Sequence, residues 1–257
     1  MTAQRAFSKI SEDAVLGGRL VLRQPRCGHR VGHDAILLAA ATSAHAGEHA
    51  VDLGAGVGGA GLALARRVEG LAVTLVEIDP VLAELARENA GRNGLAERAR
   101  AVCADVGARS AAFAALGLRA GAADRVLMNP PFNAPTNPSP QRNRRLAHST
   151  AQGTLGLWVR TAFRLLRPSG ALTLIWRADG AADVFAAILP HFGATALLPV
   201  YPKPGAPAIR VLVRAVKASR APTTVLPGLL LADARGKPTE EAEAILRGGA
   251  ALPMDGR

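Results

Sequence analysis

Cysteine is almost missing from this 257-residue chain. Cys27 and Cys103 are too few for a disulfide scaffold or a cysteine-rich zinc site. Long apolar runs are missing as well. The longest, residues 35–41, is far short of the roughly 20 residues a membrane span needs, and residues 1–10 lack the apolar stretch of a secretory signal. A cytoplasmic location is therefore expected. Disorder is excluded too, because 49% of residues are apolar and only 20% charged, enough to bury a core. The length suits one large α/β domain or two small ones.

Acidic residues are the next scarcity. They number 20 against 31 bases, for a net charge of +11. The deficit is local: residues 1–124 hold 14 bases and 13 acids, and residues 233–257 hold four and five. Residues 125–232 hold 13 bases against Asp179 and Asp183 alone. A positive field of that size is the usual footprint of a nucleic-acid partner, the blander alternative being a solvated basic surface.

The pattern along the chain begins with an apolar run broken by Gly17-Gly18, which reads as a hairpin. A buried helix over 33–44 follows. From residue 50, short apolar strands alternate with helices, the mark of a parallel sheet built from βαβ units. Strands are expected at 50–53, 72–78, 99–103, 125–128 and 171–176, and helices at 59–68, 80–93, 110–116, 154–166 and 181–189. Residues 196–201 and 209–216 read as a closing antiparallel pair, and 239–247 as a terminal helix. The expected domains are an extension over 1–48, a sheet domain over 49–220 and a tail over 221–257. The one long irregular stretch, 133–149, contains Arg142, Arg144 and Arg145. Loops of that length are usually functional or disordered, and these arginines are candidate phosphate contacts.

Asp52-Leu53-Gly54-Ala55-Gly56-Val57-Gly58-Gly59 ends a strand and opens a helix. Glycines there permit a tight turn and let the backbone approach a ligand. Gly54, Gly56 and Gly59 fit G-x-G-x-x-G, a weak pattern alone that would suit NAD. Glu77 ends the next strand, where its carboxylate can accept both ribose hydroxyls of any adenosine-bearing cofactor. Asp79, before Pro80, is most simply a helix cap. Asp105, after the third strand, is either a turn residue or an acceptor for an adenine amino group.

Asn129-Pro130-Pro131-Phe132 follows the fourth strand. The prolines lock the backbone and supply no N–H. The Asn129 side chain and the Pro130 carbonyl can then form an acceptor pair for a planar exocyclic amine, and Phe132 a face on which a base stacks. Two acceptors gripping the amine hydrogens favour a pyramidal, nucleophilic nitrogen, so the pair serves the transition state more than the ground state.

This order of motifs resembles the class I S-adenosylmethionine-dependent methyltransferases of the small-domain type, which act on amino groups of adenine, guanine or glutamine. Residues 31–39, Val-Gly-His-Asp-Ala-Ile-Leu-Leu-Ala, and the tail from Leu226-Pro227-Gly228-Leu229 through Glu243 are similar to the bacterial tRNA(Val) adenine-37 N6-methyltransferases. The similarity runs over roughly residues 12–250. It implies a seven-stranded, mostly parallel sheet with helices on both faces, S-adenosylmethionine as cofactor and tRNA as partner, in a monomer or weak homodimer. It also implies that Asp52, Gly54 and Gly56 cradle the methionine moiety, Glu77 binds the ribose and Asp105 the adenine amino group. Gly32 and Asp34 would close over the cofactor, while Asn129 and Pro130 grip an amine inserted beside Phe132. The tail departs from the group at Leu230-Leu231-Ala232-Asp233, where a histidine is expected. Guanine N2- and glutamine N5-methylation, an NAD-dependent oxidoreductase and a silent RNA-binding module are the competing expectations. The six histidines show no metal-ligand spacing, Trp158 and Trp176 are expected in the core, and the two cysteines read as small apolar residues.

Overall fold

A computed structural model describes residues 10–26, 30–131 and 143–254, with the side chains of 143–152 outside that description. Strands β1 (Ile10–Val15) and β2 (Leu20–Pro25) form the expected hairpin, and α1 (His33–Ala41) follows. Then come β3 (His49–Leu53), α2 (Gly59–Arg67), β4 (Ala72–Glu77), α3 (Pro80–Arg92), β5 (Ala99–Cys103), α4 (Ser110–Ala115) and β6 (Ala123–Met128). The second half comprises α5 (Asn143–Leu165), β7 (Leu166–Arg177), α6 (Ala181–Ile188), β8 (Phe192–Tyr201) and β9 (Arg210–Lys217). Asp79 caps α3 by accepting the Val81 N–H at 2.8 Å with Pro80 in the first turn, as the sequence predicts.

Seven strands form the sheet in the order β5-β4-β3-β6-β7-β9-β8, and β9 alone runs against its neighbours. Two further strands of two residues each, β10 (Thr224–Val225) and β11 (Leu229–Leu230), lie parallel to β8. The tail therefore extends the sheet rather than only packing a helix on it; that helix, α7 (Glu240–Leu246), is capped by Thr239. Alternate strand residues point to opposite faces. Ala50, Leu75, Leu127 and Leu212 join a core with α1, α2, α3 and α7, while Val51, Leu53, Val126 and Met128 join a second core with α4, α5 and α6.

Several expectations change. Helix α5 begins at Asn143, eleven residues before the predicted start, so Arg144 and Arg145 belong to its first turns rather than to a loop. Their side chains, and all of Phe132 and Arg142, lie outside the described residues. Helix α1 ends at Ala41, three residues early. Cys103 is exposed rather than packed, and Cys27 lies outside the described residues.

Among the described residues, no helix is long and apolar enough to cross a membrane.

Candidate functional site

The chain runs from β3 outward to β5, then returns to place β6 on the other side of β3. That reversal opens a crevice at the carboxyl ends of the strands, where open α/β sheets bind ligands. Register sets the site residues in one row. Leu53 pairs with Met128 on one side and Val76 on the other, and Glu77 pairs with Cys103. Gly54, Glu77, Asp105 and Asn129 therefore emerge at four adjacent strand ends. At roughly 4.8 Å per strand, the row spans about 14 Å.

The glycine loop is held from several sides. The N–H groups of Gly54 and Ala55 both donate to the Val76 carbonyl, at 2.8 and 3.0 Å. Gly56 takes φ +57° and donates to Glu77 Oε2 at 2.8 Å, and a Cβ placed on it would meet nothing within 4 Å. The loop thus presents bare backbone to open space. Gly54 takes φ +71°, and a Cβ there would lie 2.3 Å from Cη2 of Trp158 on α5. Gly54→Ala is expected to destabilise the fold by on the order of 2–4 kcal/mol, from overpacking and left-handed strain together. Adding Trp158→Phe should restore the overpacking part alone. Additive losses in a double-mutant cycle on chemical denaturation would exclude the clash.

Glu77 is buried at the end of β4, where the sequence places it, and its second oxygen accepts the Asp79 N–H at 2.9 Å, so the carboxylate binds the backbone of the loop and of its own strand end. Ile78 beside it is 61% exposed, an apolar surface at the row's centre that the motif reading missed. Its signal in the sequence is an isoleucine between two acids past the strand end. Asp105 is exposed and accepts the Gly107 N–H at 2.7 Å, which makes it a turn residue.

Asp52 is placed differently from expectation. It shares a face with Ala50, lies beneath the loop and accepts the Gly61 N–H, in the first turn of α2, at 2.8 Å. At 2% exposure its carboxylate braces the helix start and is closed to a ligand in the cleft. Burial, with a further push from Glu77, raises its pKa to about 7. Asp34 also has a protein partner: its Oδ2 lies 2.9 Å from Arg210 Nε at the start of β9. Gly32 caps α1 and lines a cavity of about 730 Å³ shared with the hairpin turn and α7. Neither residue stands in the row.

Asn129 continues β6 into the crevice, with Pro130 buried and Pro131 exposed behind it. Its Oδ1 is buried and takes no hydrogen bond among the described residues. A buried carbonyl oxygen left without a donor costs about 1–3 kcal/mol, and the described residues supply none to this atom.

The described bases of segment 125–232 do not all lie on one face. Arg125 pairs with Glu48 at 2.7 Å, Arg167 with Asp124, and Lys217 donates to the Phe163 and Leu166 carbonyls at 2.7 Å. All three sit at the amino edge of the sheet, opposite the row. Arg177, paired with Asp179, and Arg210 lie at the carboxyl edge. These five of the segment's 13 bases are held by protein partners.

A sheet of this order, with a glycine loop after its first parallel strand, an acid ending the second and Asn-Pro-Pro after the fourth, is the class I methyltransferase architecture. The methyltransferase small domain family matches residues 27–198, and the chain belongs to that family. It is 33% identical over 165 residues to a tRNA1(Val) (adenine(37)-N6)-methyltransferase of Porphyromonas gingivalis, a match covering 63% of this chain and 64% of that one. It is 30% identical over 190 residues to the protein of the same name in Bacteroides fragilis, covering 73% and 77%. The match thus spans less than two thirds of the first relative's length. A solved structure titled a predicted O-methyltransferase of Agrobacterium tumefaciens is 32% identical, with a TM-score of 0.73 over 86% of this chain and 98% of that one.

Proposed function

We propose that the protein methylates N6 of an adenine in tRNA, using S-adenosylmethionine, and that position 37 of tRNA(Val) is its target. The observation that carries this reading is the buried Oδ1 of Asn129, unpartnered among the described residues. An exocyclic amine supplies the missing donor and becomes a better nucleophile as its hydrogens are gripped.

The open space beside Gly56, the buried carboxylate of Glu77 and the exposed Ile78 fit the cofactor. In this reading Glu77 accepts the ribose hydroxyls and Ile78 packs on the adenine ring, with Asp105 near its amino group. Bound there, the cofactor supplies an electrophilic methyl group. Asn129 and the Pro130 carbonyl hold the target nitrogen, Phe132 stacks on the base, and Arg142, Arg144 and Arg145 contact phosphates. Asp52 is a brace for the loop, and Arg210 fixes Asp34 and with it the start of α1. The extension 1–48 and tail 221–257 are appendages of the domain 49–220, in a cytoplasmic monomer or weak homodimer.

Adenine N6, guanine N2 and glutamine N5 all offer the same N–H donor, so the names of the relatives favour adenine here. An oxidoreductase reading uses the glycine loop but leaves Asn129 without a role. Nucleoside mass spectrometry of tRNA from a deletion strain tests the choice. The expected result is loss of N6-methyladenosine from tRNA(Val), restored by the intact gene. Unchanged N6-methyladenosine with loss of N2-methylguanosine from RNA, or of methylated glutamine from protein, would overturn it.

A further inference from the structure

Strand β2 pairs with β1 along one edge only. Its other edge meets two asparagines one helical turn apart, Asn89 on α3 and Asn93 capping its C-terminus, and their amides take the place of a third strand. Asn93 accepts the Val21 N–H at 2.9 Å and donates to the Val21 carbonyl at 2.8 Å. Asn89 does the same for Arg23, at 2.8 and 3.0 Å. The spacing fits because residues four apart share a helix face, as residues two apart share a strand edge.

The two asparagines differ in one respect. The second amide hydrogen of Asn89 goes to the carbonyl of Val57, in the cofactor loop between Gly56 and Gly58, at 3.0 Å. That of Asn93 returns to its own helix, at the Asn89 carbonyl, 2.7 Å away. Asn89 is fully buried. Its orientation is fixed, since the Arg23 N–H can only donate and the two carbonyls can only accept. A second tie runs parallel to this one. Gln24, 2% exposed, accepts the Val31 N–H at 2.9 Å, and the Val31 side chain presses on Gly59, where a Cβ would approach to 2.6 Å.

We infer that Asn89 is a positioning residue for the cofactor loop, and that through it the N-terminal hairpin and the cofactor cleft are coupled. The hairpin is thereby a strut beneath the glycine loop. Fixing Val57 fixes the backbone next to Gly56, whose N–H is held by Glu77 and whose Cα faces open space in the cleft. Coupling is reciprocal: a ligand that orders the loop must also tighten the hairpin edge. The inference rests on reading the cleft as a site for S-adenosylmethionine.

Asn89→Asp and Asn93→Asp test it as a pair. Each keeps the acceptor for its β2 N–H and replaces the donors with a carboxylate oxygen that repels the facing carbonyls. Both loosen the hairpin, but only Asn89→Asp frees Val57. The expected result is a KM for S-adenosylmethionine, and a Kd for S-adenosylhomocysteine, raised on the order of tenfold in Asn89→Asp. Values near those of the unaltered protein are expected in Asn93→Asp, with kcat and the KM for RNA little changed in either. In the unaltered protein, which needs no variant to fold, saturation with S-adenosylhomocysteine should slow hydrogen exchange of the Arg23 amide by about threefold or more. Equal loss of cofactor affinity in the two variants, or an Arg23 amide indifferent to ligand, overturns the inference alone. Failure of the unaltered protein to bind S-adenosylhomocysteine overturns the reading of the cleft and the inference with it.

Discussion

Replacing Asn129 by alanine is expected to lower kcat by on the order of 100- to 1000-fold, the usual cost of losing one polar group aimed at the transition state. Cofactor affinity should change little. The loop and Glu77 stand on β3 and β4, whereas Asn129 ends β6, and no bond between it and either is present among the described residues. The effect falls on kcat because the interaction strengthens as the amine nitrogen donates its lone pair and its hydrogens become more acidic. Stability should move the other way. Asn129 Oδ1 is buried without a donor among the described residues, so alanine removes an unsatisfied atom and the melting temperature should hold or rise. A trade of activity for stability would mark a functional atom, and a fall in both would mark a structural one. Single-turnover kinetics and thermal melts on the same preparation separate these outcomes. Activity equal to that of the unaltered protein would end the acceptor role.

The elements that the sequence made legible are those with local causes. The strands of the row follow from short apolar runs, the glycine loop from positive φ at Gly54 and Gly56, and the α3 start from Asp79 before Pro80. Partnerships across the chain were not legible in this way. Nothing near Asp34 in sequence announces Arg210, 176 residues away. Segment charge likewise failed to define a surface, because strands crossing the sheet put bases at both of its edges.

Asp52 is a case where the sequence held the answer. It and Glu77 both carry a carboxylate at a strand end, yet Asp52 is one residue short of the end of β3 and shares the parity of Ala50. Glu77 shares that parity through Leu75 but ends β4, whereas one residue of depth leaves Asp52 beneath the loop, against α2 and closed to the crevice. The start of α5 had no such signal. The expected helix was drawn from Thr154, and the polar stretch before it, Asn143 through Gly153, carries no apolar periodicity to extend it.

The placement of Asp52 has a consequence for stability. Burial is the largest cause of its raised pKa, the hydrogen bond from Gly61 opposes it, and Glu77 adds to it. The folded-state value is about 7, against an ordinary 3.8 that the unfolded chain regains. Between those two values the folded protein binds a proton that the unfolded one has released, so stability falls as pH rises. The contribution is fully present below about pH 4 and lost as pH passes through about 7, a difference of up to about 4 kcal/mol. Asp52→Asn keeps an oxygen for the Gly61 N–H and cannot ionise. Its stability should therefore exceed that of the unaltered protein at pH 8 and converge on it, or fall below it, at pH 5. His49 slopes the other way in the same window, because burial pushes its pKa below 6.5. That term is common to both proteins and cancels in the difference. Urea titrations of the two proteins at pH 5 and pH 8 give the difference directly. Parallel pH dependences would mean that Asp52 stays ionised throughout, with the start of α2 stabilising its charge.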